Sequence, residues 1–295
     1  MPTTVRGMIK MIWDHPANRR RRGRALVDMA LWQAWKRTVR RPFRLTVYGD
    51  MRFLAYSDSS QPGRYIYFGG LPDYDEMTFM RRYLRAGDGF IDGGANEGVY
   101  ALLAGKLVGP AGDVHAFEAV PAYVRRLRDN VRANGLSWVT VHPDAVGAEP
   151  GTTAFVVRGA GSRMRTDDDH GPEVTTVDVS VVRLDEVLPD RSWAMGKLDV
   201  EGAEHLALIG AEKLIASGRP AVWLLELVDH FLVRFGSSVR QVRDWLGEHG
   251  YDLVCYDSAA NRLIPAPDPL PASPNVFAVA RDRMDEVAAR LEGAP

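Results

Sequence analysis

The sequence predicts an α/β fold in which helices cover both faces of a mostly parallel β-sheet. Three observations support this prediction: strand-like and helix-like segments alternate from about residue 75 onward, a glycine-rich turn joins the first of these strands to a helix, and carboxylates follow several strands. The alternation favours parallel pairing, because each helix carries the chain back to the same edge of the sheet. With 46% hydrophobic and 25% charged residues, the composition is that of a folded globular protein.

Seven segments have the length and apolar character of strands. They are residues 89–92, 113–117, 139–142, 196–199, 221–227, 253–256 and 276–280. Helices are predicted at residues 100–107, 122–133, 203–217 and 239–249, and an earlier helix, EMTFMRRYLRA, should end at Gly87. We expect one of the last two strands to run antiparallel. Two β-rich pieces within residues 152–184, around a polar loop at 161–173, predict an inserted β-arm.

Residues 1–74 are interpreted as an N-terminal extension to a domain of residues 75–295. A run of arginines at 19–24 precedes a helical pattern, and residues 43–56 predict a hairpin. The first 44 residues hold 12 basic and 2 acidic residues, a charge of +10, and the remaining 25 basic and 36 acidic residues give −11. This basic arm either packs on the acidic body or contacts an anionic surface or carrier protein, and no motif supports nucleic-acid binding.

Cys255 is the single cysteine, which excludes an intrachain disulfide and a cysteine-based zinc site. No apolar run approaches the roughly 18 residues that a membrane-spanning helix needs. The N-terminus also lacks the apolar stretch of a secretory signal. We therefore expect a cytoplasmic protein.

Residues 90–100, FIDGGANEGVY, predict a strand, a tight turn and a helix. Such a turn lets backbone N–H groups and a helix N-terminus approach a nucleotide closely. The spacing is not the dinucleotide G-x-G-x-x-G, because Ala95 stands where the second glycine would be. Asn96 tolerates a positive φ better than most residues. A generic tight turn is the alternative interpretation.

Two acidic positions follow the next strands. Glu118 lies 20 residues beyond Gly98 at a strand end, where its carboxylate is placed to accept hydrogen bonds from both ribose hydroxyls. Asp144 and Ala145 end the third strand, where the acid suits an adenine amino group and the apolar neighbour suits the ring. Solvated acids at strand ends are the alternative.

The segments FIDGGANEGVYALLAG, AFEAVP, KLDVEGAEHLALIGA and WLLEL resemble, in order and spacing, the FkbM family of methyltransferases over residues 67–227. Asp92, Gly94 and Gly98 match the acidic-x-Gly-x-x-x-Gly spacing of methyltransferases. The resemblance implies a Rossmann-like class I methyltransferase sheet of seven strands, mostly parallel with a terminal antiparallel strand. It further implies S-adenosylmethionine as cofactor and O-methylation of a sugar or natural-product hydroxyl. At Gly93 the family often has valine, so we expect a looser strand end there.

The predicted cofactor-binding residues combine the turn, the strand-end acids and the segment before the first helix. They are Glu76, Asp92, Gly94, Ala95, Asn96, Gly98, Tyr100, Glu118, Asp144, Ala145 and Asp199. Glu76 belongs to residues 67–76, YFGGLPDYDE, which resemble a Gly-x-x-Tyr-x-Glu-like stretch of the family. This stretch is either a lid over the methionine end of the cofactor or a simple connector.

Candidate catalytic residues cluster after the fourth and fifth strands: Asp199, Glu201, Glu226 and His230, with Glu204 interpreted as a first-turn acid. Methyl transfer to a hydroxyl needs an aligned nucleophile and a group that takes its proton. Either His230 or a carboxylate accepts that proton, or Asp199 and Glu226 hold Mg²⁺, which lowers the pKa of the acceptor's oxygens. We favour the metal-free alternative.

Two other functions fit part of the pattern. An NAD(P)-dependent oxidoreductase would use the same turn and Glu118, but the glycine spacing and the acid-rich fourth strand disfavour it. A non-catalytic nucleotide- or RNA-associated protein would depend on the basic arm. Methylation of base amino groups is disfavoured because the sequence has no Asn/Asp-Pro-Pro-Tyr motif. Cytosine C5 methylation is disfavoured because no proline precedes Cys255. Radical methylation is disfavoured because there is no cysteine cluster to hold an iron–sulfur centre. The acceptor and the oligomeric state stay open, and a homo-oligomer is compatible with the sequence.

Overall fold

A large mixed sheet forms the centre of the molecule in the computed structural model, which describes residues 5–38, 42–56, 73–157, 162–166, 169, 175–270 and 275–293. The strands are β1 (Phe43–Thr46), β2 (Arg52–Ala55), β3 (Gly89–Gly93), β4 (Asp113–Phe117), β5 (Val139–His142), β6 (Asp144–Val146), β7 (Gly151–Val156), β8 (Arg163–Met164), β9 (Thr176–Val182), β10 (Met195–Leu198), β11 (Val222–Glu226), β12 (Tyr251–Asp257), β13 (Arg262–Pro265) and β14 (Asn275–Ala280).

The helices lie between these strands and at both ends of the chain. They are α1 (Val5–Asp14), α2 (Arg22–Thr38), α3 (Tyr74–Tyr83), α4 (Val99–Val108), α5 (Pro121–Ala133), α6 (Leu184–Val187), α7 (Glu204–Ile209), α8 (Glu212–Ala216), α9 (Asp229–Leu232), α10 (Val239–Glu248) and α11 (Met284–Glu292). No helix among the described residues has the length and apolar character that crossing a membrane requires.

The central sheet has the strand order β13-β12-β14-β11-β10-β3-β4-β5. From β11 to β5 the strands are parallel, and β14 runs antiparallel to both β11 and β12. All seven predicted strands are confirmed, and the last strand of the chain is the antiparallel one. β13 was not predicted, because its four residues run directly into the proline-rich loop and its identity as a strand depends on pairing with β12.

The predicted helix at 203–217 is wrong in one respect: it is two helices, α7 and α8, separated at Gly210. At this point the chain lies against another backbone, since a Cβ on Gly210 would sit 2.0 Å from the carbonyl oxygen of Gly147. The helix predicted to end at Gly87 ends earlier, because Leu84 already has an extended backbone.

The core lies on both faces of the sheet. Phe90 and Ile91, neighbours on β3, are both fully buried and belong to the two different apolar clusters that flank the sheet. This two-sided burial is what parallel strands covered by helices require. Gly93 also pairs within the sheet, and Leu198 fills the space beside it, so the expected loosening of this strand end is wrong.

The inserted β-arm is confirmed as a second, four-stranded sheet of order β6-β9-β7-β8. β7 pairs antiparallel with β9 along six residue pairs, and β9 pairs parallel with β6. Much of the predicted polar loop at 161–173 lies outside the described residues. Because β6 is one of its strands, the β-arm begins at residue 144, immediately after β5 and earlier than the predicted start at about residue 152.

The extension contains the predicted hairpin, with β1 and β2 paired antiparallel. Met51 and Phe53 of this hairpin belong to the main core, and Asn130 of α5 accepts a hydrogen bond from the backbone of Leu54 at 2.7 Å. Helices α1 and α2 pack on the hairpin through a small cluster that includes Ile12 and Ala55. The division at residue 74 stays an interpretation. Residues 57–72 lie outside the described part of the chain.

Candidate active site

The turn after β3 is built from residues with unusual backbone conformations. Gly94, Asn96 and Gly98 have φ values of 78°, 51° and 96°, and Gly98 caps the N-terminus of α4. A Cβ on Gly94 would lie 1.9 Å from the carbonyl oxygen of Asp199, so only glycine permits this contact between the turn and the end of β10. The backbone N–H groups of Gly94 and Ala95 both donate to the Phe117 carbonyl, at 3.0 and 2.9 Å.

Glu118 closes the turn from the end of β4. Its Oε2 accepts a hydrogen bond from the Asn96 N–H at 2.8 Å, and its Oε1 accepts one from the Val120 N–H at 2.7 Å. Burial raises the pKa of Glu118 to about 7, although these two donors oppose the rise. Each carboxylate oxygen has a second lone pair, so the group keeps acceptor capacity for two ribose hydroxyls.

Glu97 is a structural member of the turn that the sequence did not single out. Its side chain is fully buried, and the guanidinium of Arg126 on α5 lies 2.6 Å from its Oε1. Asn130, on the same helix, donates to the Glu97 carbonyl at 2.8 Å. This ion pair anchors the turn to α5. The only sequence signal was a charged residue inside an otherwise small and apolar turn.

Three of the predicted catalytic residues meet at the carboxyl ends of β10 and β11. One carboxylate oxygen each from Asp199, Glu201 and Glu226 lies within 4.8 Å of the others. Burial, and then the charge of Asp199, raise the pKa of Glu201 to about 7 and that of Glu226 to about 9. Carboxyl groups with raised pKa values are stabilised by a bound cation, which favours their ionised form, or by a ligand that forms hydrogen bonds with them.

Lys197 provides a buried cation beside these acids, and the sequence analysis gave it no role. Its Nζ lies 3.0 Å from Oδ2 of Asp199, 3.9 Å from Oδ1 of Asp92 and 4.8 Å from the ring centre of Tyr100. Burial lowers its pKa, but the two carboxylates outweigh that effect and hold the pKa above the ordinary value. The feature of the sequence that could have identified Lys197 is the presence of a lysine within the otherwise apolar strand β10.

Asp92 is fully buried at the end of β3, and burial raises its pKa to about 6. Neither of its carboxylate oxygens has a hydrogen-bond partner among the described residues. Glu204 is different: its Oε1 accepts from the backbone N–H groups of Val200 and Gly202, at 2.9 and 3.2 Å. These bonds hold the turn before α7, which agrees with its interpretation as a first-turn acid.

The start of α3 lies across the site. The hydroxyl of Tyr100 donates to Asp73 at 3.0 Å, and Asn275 donates to Glu76 at 2.9 Å. Asn275 is also the register partner of Glu226, so Glu76 is held next to the acidic group. Burial raises the pKa of Glu76. Residues 67–72 of the stretch predicted as lid or connector lie outside the described residues.

Three predicted residues stand apart from this group. His230 is exposed at the start of α9, edge-on to the ring of Phe231. Asp144 does not end β5 as predicted but begins β6, because the chain crosses there into the second sheet. Ala145 is buried in the apolar cluster beneath the β-arm, together with Val120.

The family model of the FkbM methyltransferase domain matches residues 92–253, more than half of the chain. The chain belongs to the FkbM methyltransferase family. Its cofactor is S-adenosylmethionine. The matched residues run from the buried acid at the end of β3 into β12 and therefore include the turn, Glu118 and the acidic group.

Individual relatives are more distant. The protein-L-isoaspartate O-methyltransferase of Ignicoccus hospitalis is 32% identical over 103 residues, which cover 34% of this chain and 47% of that one. The chain thus matches about half the length of this curated relative. The solved methyltransferase FkbM of Methylobacillus flagellatus is 13% identical, with 86% of this chain and 59% of that chain covered and a TM-score of 0.44. An S-adenosylmethionine-dependent O-methyltransferase of Thermotoga maritima is 15% identical, with coverages of 70% and 64% and a TM-score of 0.37.

The residues present fit S-adenosylmethionine. The positive-φ turn brings backbone close to the space beside Glu118, whose carboxylate retains lone pairs for hydroxyl donors. The oxygens of Asp92 that lack hydrogen-bond partners, together with the neighbouring acidic group, suit the ammonium and sulfonium charges of this cofactor.

Proposed function

We propose that the protein transfers the methyl group of S-adenosylmethionine to a hydroxyl oxygen of a sugar or another polyhydroxylated natural product. The observation that carries this proposal is the group of Asp199, Glu201 and Glu226, whose carboxylate oxygens lie within 4.8 Å of one another beside the nucleotide turn. When bound, S-adenosylmethionine supplies an electrophilic methyl group. The chain's own residues must then align a hydroxyl and take its proton.

Asp199 is the proposed proton acceptor. Its ion pair with Lys197, at 3.0 Å, fixes the orientation of its carboxylate. With its side chain 39% exposed, Asp199 is accessible to an acceptor molecule. His230 is less suited to this role in the proposal, because it is exposed and does not belong to the acidic group.

Glu201 and Glu226 are proposed to bind the acceptor's other hydroxyls. Their raised pKa values, about 7 and about 9, let them donate as well as accept hydrogen bonds near neutral pH. A carbohydrate-like ligand offers several neighbouring hydroxyls that can satisfy both carboxyls at once. An acceptor with a single isolated hydroxyl would leave one of these half-buried carboxyls without a ligand partner, which is costly.

The proposed cofactor contacts follow the geometry of the turn. Glu118 is proposed to bind the ribose hydroxyls, and Asp144, which begins β6 shortly after the end of β5, is proposed to bind the adenine amino group. Asp92 and the segment held by Tyr100 and Glu76 are proposed to surround the methionine end. Each of these assignments is separately testable by substitution.

A metal-assisted version of the same reaction is the second candidate, because the three clustered carboxylates could also bind Mg²⁺. The ion would then bind two oxygens of the acceptor and lower their pKa. We favour the metal-free version, since the ammonium of Lys197 already compensates Asp199.

The test is methyl transfer from isotopically labelled S-adenosylmethionine to a panel of sugars and polyols, with monohydroxyl, amine and thiol compounds for comparison. Asp199→Asn should lower kcat by at least about 100-fold. Asp244→Asn changes an aspartate on the surface of α10 and is the matched control with unchanged kcat. Transfer only to nitrogen or sulfur, or full activity in Asp199→Asn, would contradict the proposal. Activity that is lost after chelation and restored by Mg²⁺ would select the metal-assisted version.

A further inference from the structure

Helices α1 and α2 carry most of the large apolar side chains that the described part of the chain leaves exposed. Ile9 is 40% exposed, Trp13 45%, Val27 52% and Leu31 61%, which makes four of six such residues. Ile9 and Trp13 are four residues apart, as are Val27 and Leu31, so each pair lies on one side of its helix. Exposed apolar side chains grouped in this way are typical of an interaction surface.

The outward side of α2 is mostly apolar or small from Gly23 to Ala34, with Arg24 as its charged residue near the N-terminal end. The exposed residues that recur there at spacings of three and four are Gly23, Val27, Ala30, Leu31 and Ala34. The opposite side of the helix, which includes Ala25 and Trp32, packs with Ile12 of α1 and Ala55 of the hairpin. The helix is therefore attached to the body by one side and presents a second apolar side to solvent.

The same two helices and the segment between them also carry exposed basic side chains. The exposed ones are Arg6, Lys10, Arg19, Arg20, Arg24 and Arg37. The guanidinium of Arg22 also lies 5.3 Å from the ring centre of Trp13. The ion pairs seen here are internal to the arm: Lys10 with Asp14, and Arg21 and Arg24 with Asp28.

The arm does not attach to the acidic body through these ion pairs, since its packing on the hairpin is apolar. The described basic side chains that are exposed, such as Arg20, Arg24 and Arg37, therefore face solvent. In sequence terms, the first 44 residues carry +10 and the remainder carries −11. Such a separation of charge would orient the molecule at an anionic surface, with the arm attracted and the body repelled.

We propose that α1 and α2 form a docking surface for an anionic lipid bilayer. The exposed apolar side chains would enter the boundary between headgroups and acyl chains, while the arginines contact phosphates and anionic headgroups. Nucleic acid would gain from the arginines but not from exposed Val27, Leu31 and Ile9, whereas a lipid surface uses both. This proposal concerns the arm alone and does not depend on the proposed methyl transfer.

The test is flotation of the full-length protein with vesicles of phosphatidylcholine alone and of phosphatidylcholine mixed with phosphatidylglycerol. We expect at least about ten-fold stronger binding to the anionic vesicles, weakened by added salt because the Debye length shortens. The double substitution Val27→Glu and Leu31→Glu should reduce this binding at least ten-fold. Ile264→Glu is the matched control, since Ile264 is another exposed apolar residue but lies on β13 at the far edge of the sheet, and it should bind as the unchanged protein does.

Both variants change exposed side chains, so their unfolding midpoints should stay within experimental error of the unchanged protein, which separates lost binding from lost folding. Quenching by lipids brominated in the acyl chain should also be smaller in Trp13→Phe. Equal binding to both vesicle types, or unaltered binding by the double variant, would overturn the proposal. Binding to duplex DNA or polyglutamate without binding to vesicles would overturn it too and would reassign the surface to that partner.

Discussion

The backbone N–H of Asn96 donates to the carboxylate of Glu118 at 2.8 Å, which joins two residues 22 positions apart in the chain. Val120 donates to the other oxygen of the same carboxylate. The acid that should bind the cofactor ribose is thereby held by the backbone of the turn that should bind the rest of the cofactor. These two hydrogen bonds make the position of the Glu118 carboxylate depend on the backbone conformation of the turn.

Replacing Glu118 should therefore weaken cofactor binding more than it weakens folding. We expect Glu118→Ala to raise the Kd of S-adenosylhomocysteine about 10- to 100-fold, the effect of losing one or two charge-assisted hydrogen bonds. Calorimetric titration measures this change, with NADH as the competing ligand. Glu149→Ala, an exposed glutamate, is the control. Binding of NADH alone would contradict the cofactor assignment.

The buried pair of Glu97 and Arg126 should be important for stability. Arg126→Ala removes the guanidinium from a fully buried carboxylate, and breaking such a pair costs about 3–5 kcal/mol of unfolding free energy. Urea unfolding measures the change. The matched control is Arg132→Ala on the same helix, whose ion pair with Asp129 is exposed and should be worth less than about 1 kcal/mol. Equal losses in the two variants would show that burial of the pair does not matter.

Gly94→Ala should disrupt the site because its Cβ would lie 1.9 Å from the Asp199 carbonyl oxygen. Gly109 also has a positive φ, 63°, but nothing lies within 4 Å of a Cβ there. We expect Gly109→Ala to cost about 1–3 kcal/mol from backbone strain alone, because its ψ of −174° places it in a region that is essentially restricted to glycine. Gly94→Ala should cost clearly more and also abolish binding of S-adenosylhomocysteine. Thermal unfolding and calorimetry compare the two, and similar behaviour of both variants would argue against the close contact.

The stability of the ligand-free protein should fall as pH rises through the neutral range. The pKa of Glu118, Glu201 and Glu204 is raised to about 7 and that of Glu226 to about 9, in each case chiefly by burial. Unfolded glutamates ionise near 4.5, so between that pH and the raised values the folded state binds more protons. The free energy of unfolding then decreases with rising pH.

Substituting one of these glutamates shows how much it contributes to the decrease of the unfolding free energy with rising pH. Glu226→Gln removes a proton-binding group, so urea unfolding between about pH 5 and pH 9 should show a shallower decrease than in the unchanged protein. The difference between the two proteins should grow with pH in favour of the variant. A difference that is constant with pH would show that Glu226 has an ordinary pKa in the folded state.

Much of the fold was accessible from the sequence. The strands of the central sheet have apolar patterns that local reasoning recognises, and the order of strands and helices restricts the possible topologies. Local sequence patterns did not predict the features that depend on contact with a distant part of the chain. The break at Gly210 is caused by the approach of Gly147, and β13 exists because it pairs with β12.

By itself, the sequence determined the α/β class, the glycine turn, its partner Glu118 and the acids after β10 and β11, because these features are short and continuous along the chain. Only the tertiary structure decided which acids meet. It placed Asp199, Glu201 and Glu226 together, left His230 exposed and set Lys197 between Asp92 and Asp199. The physical reason is that charge compensation in a buried site depends on distances between side chains that are far apart in sequence, and parallel strands bring those side chains to one edge only when the whole sheet has formed.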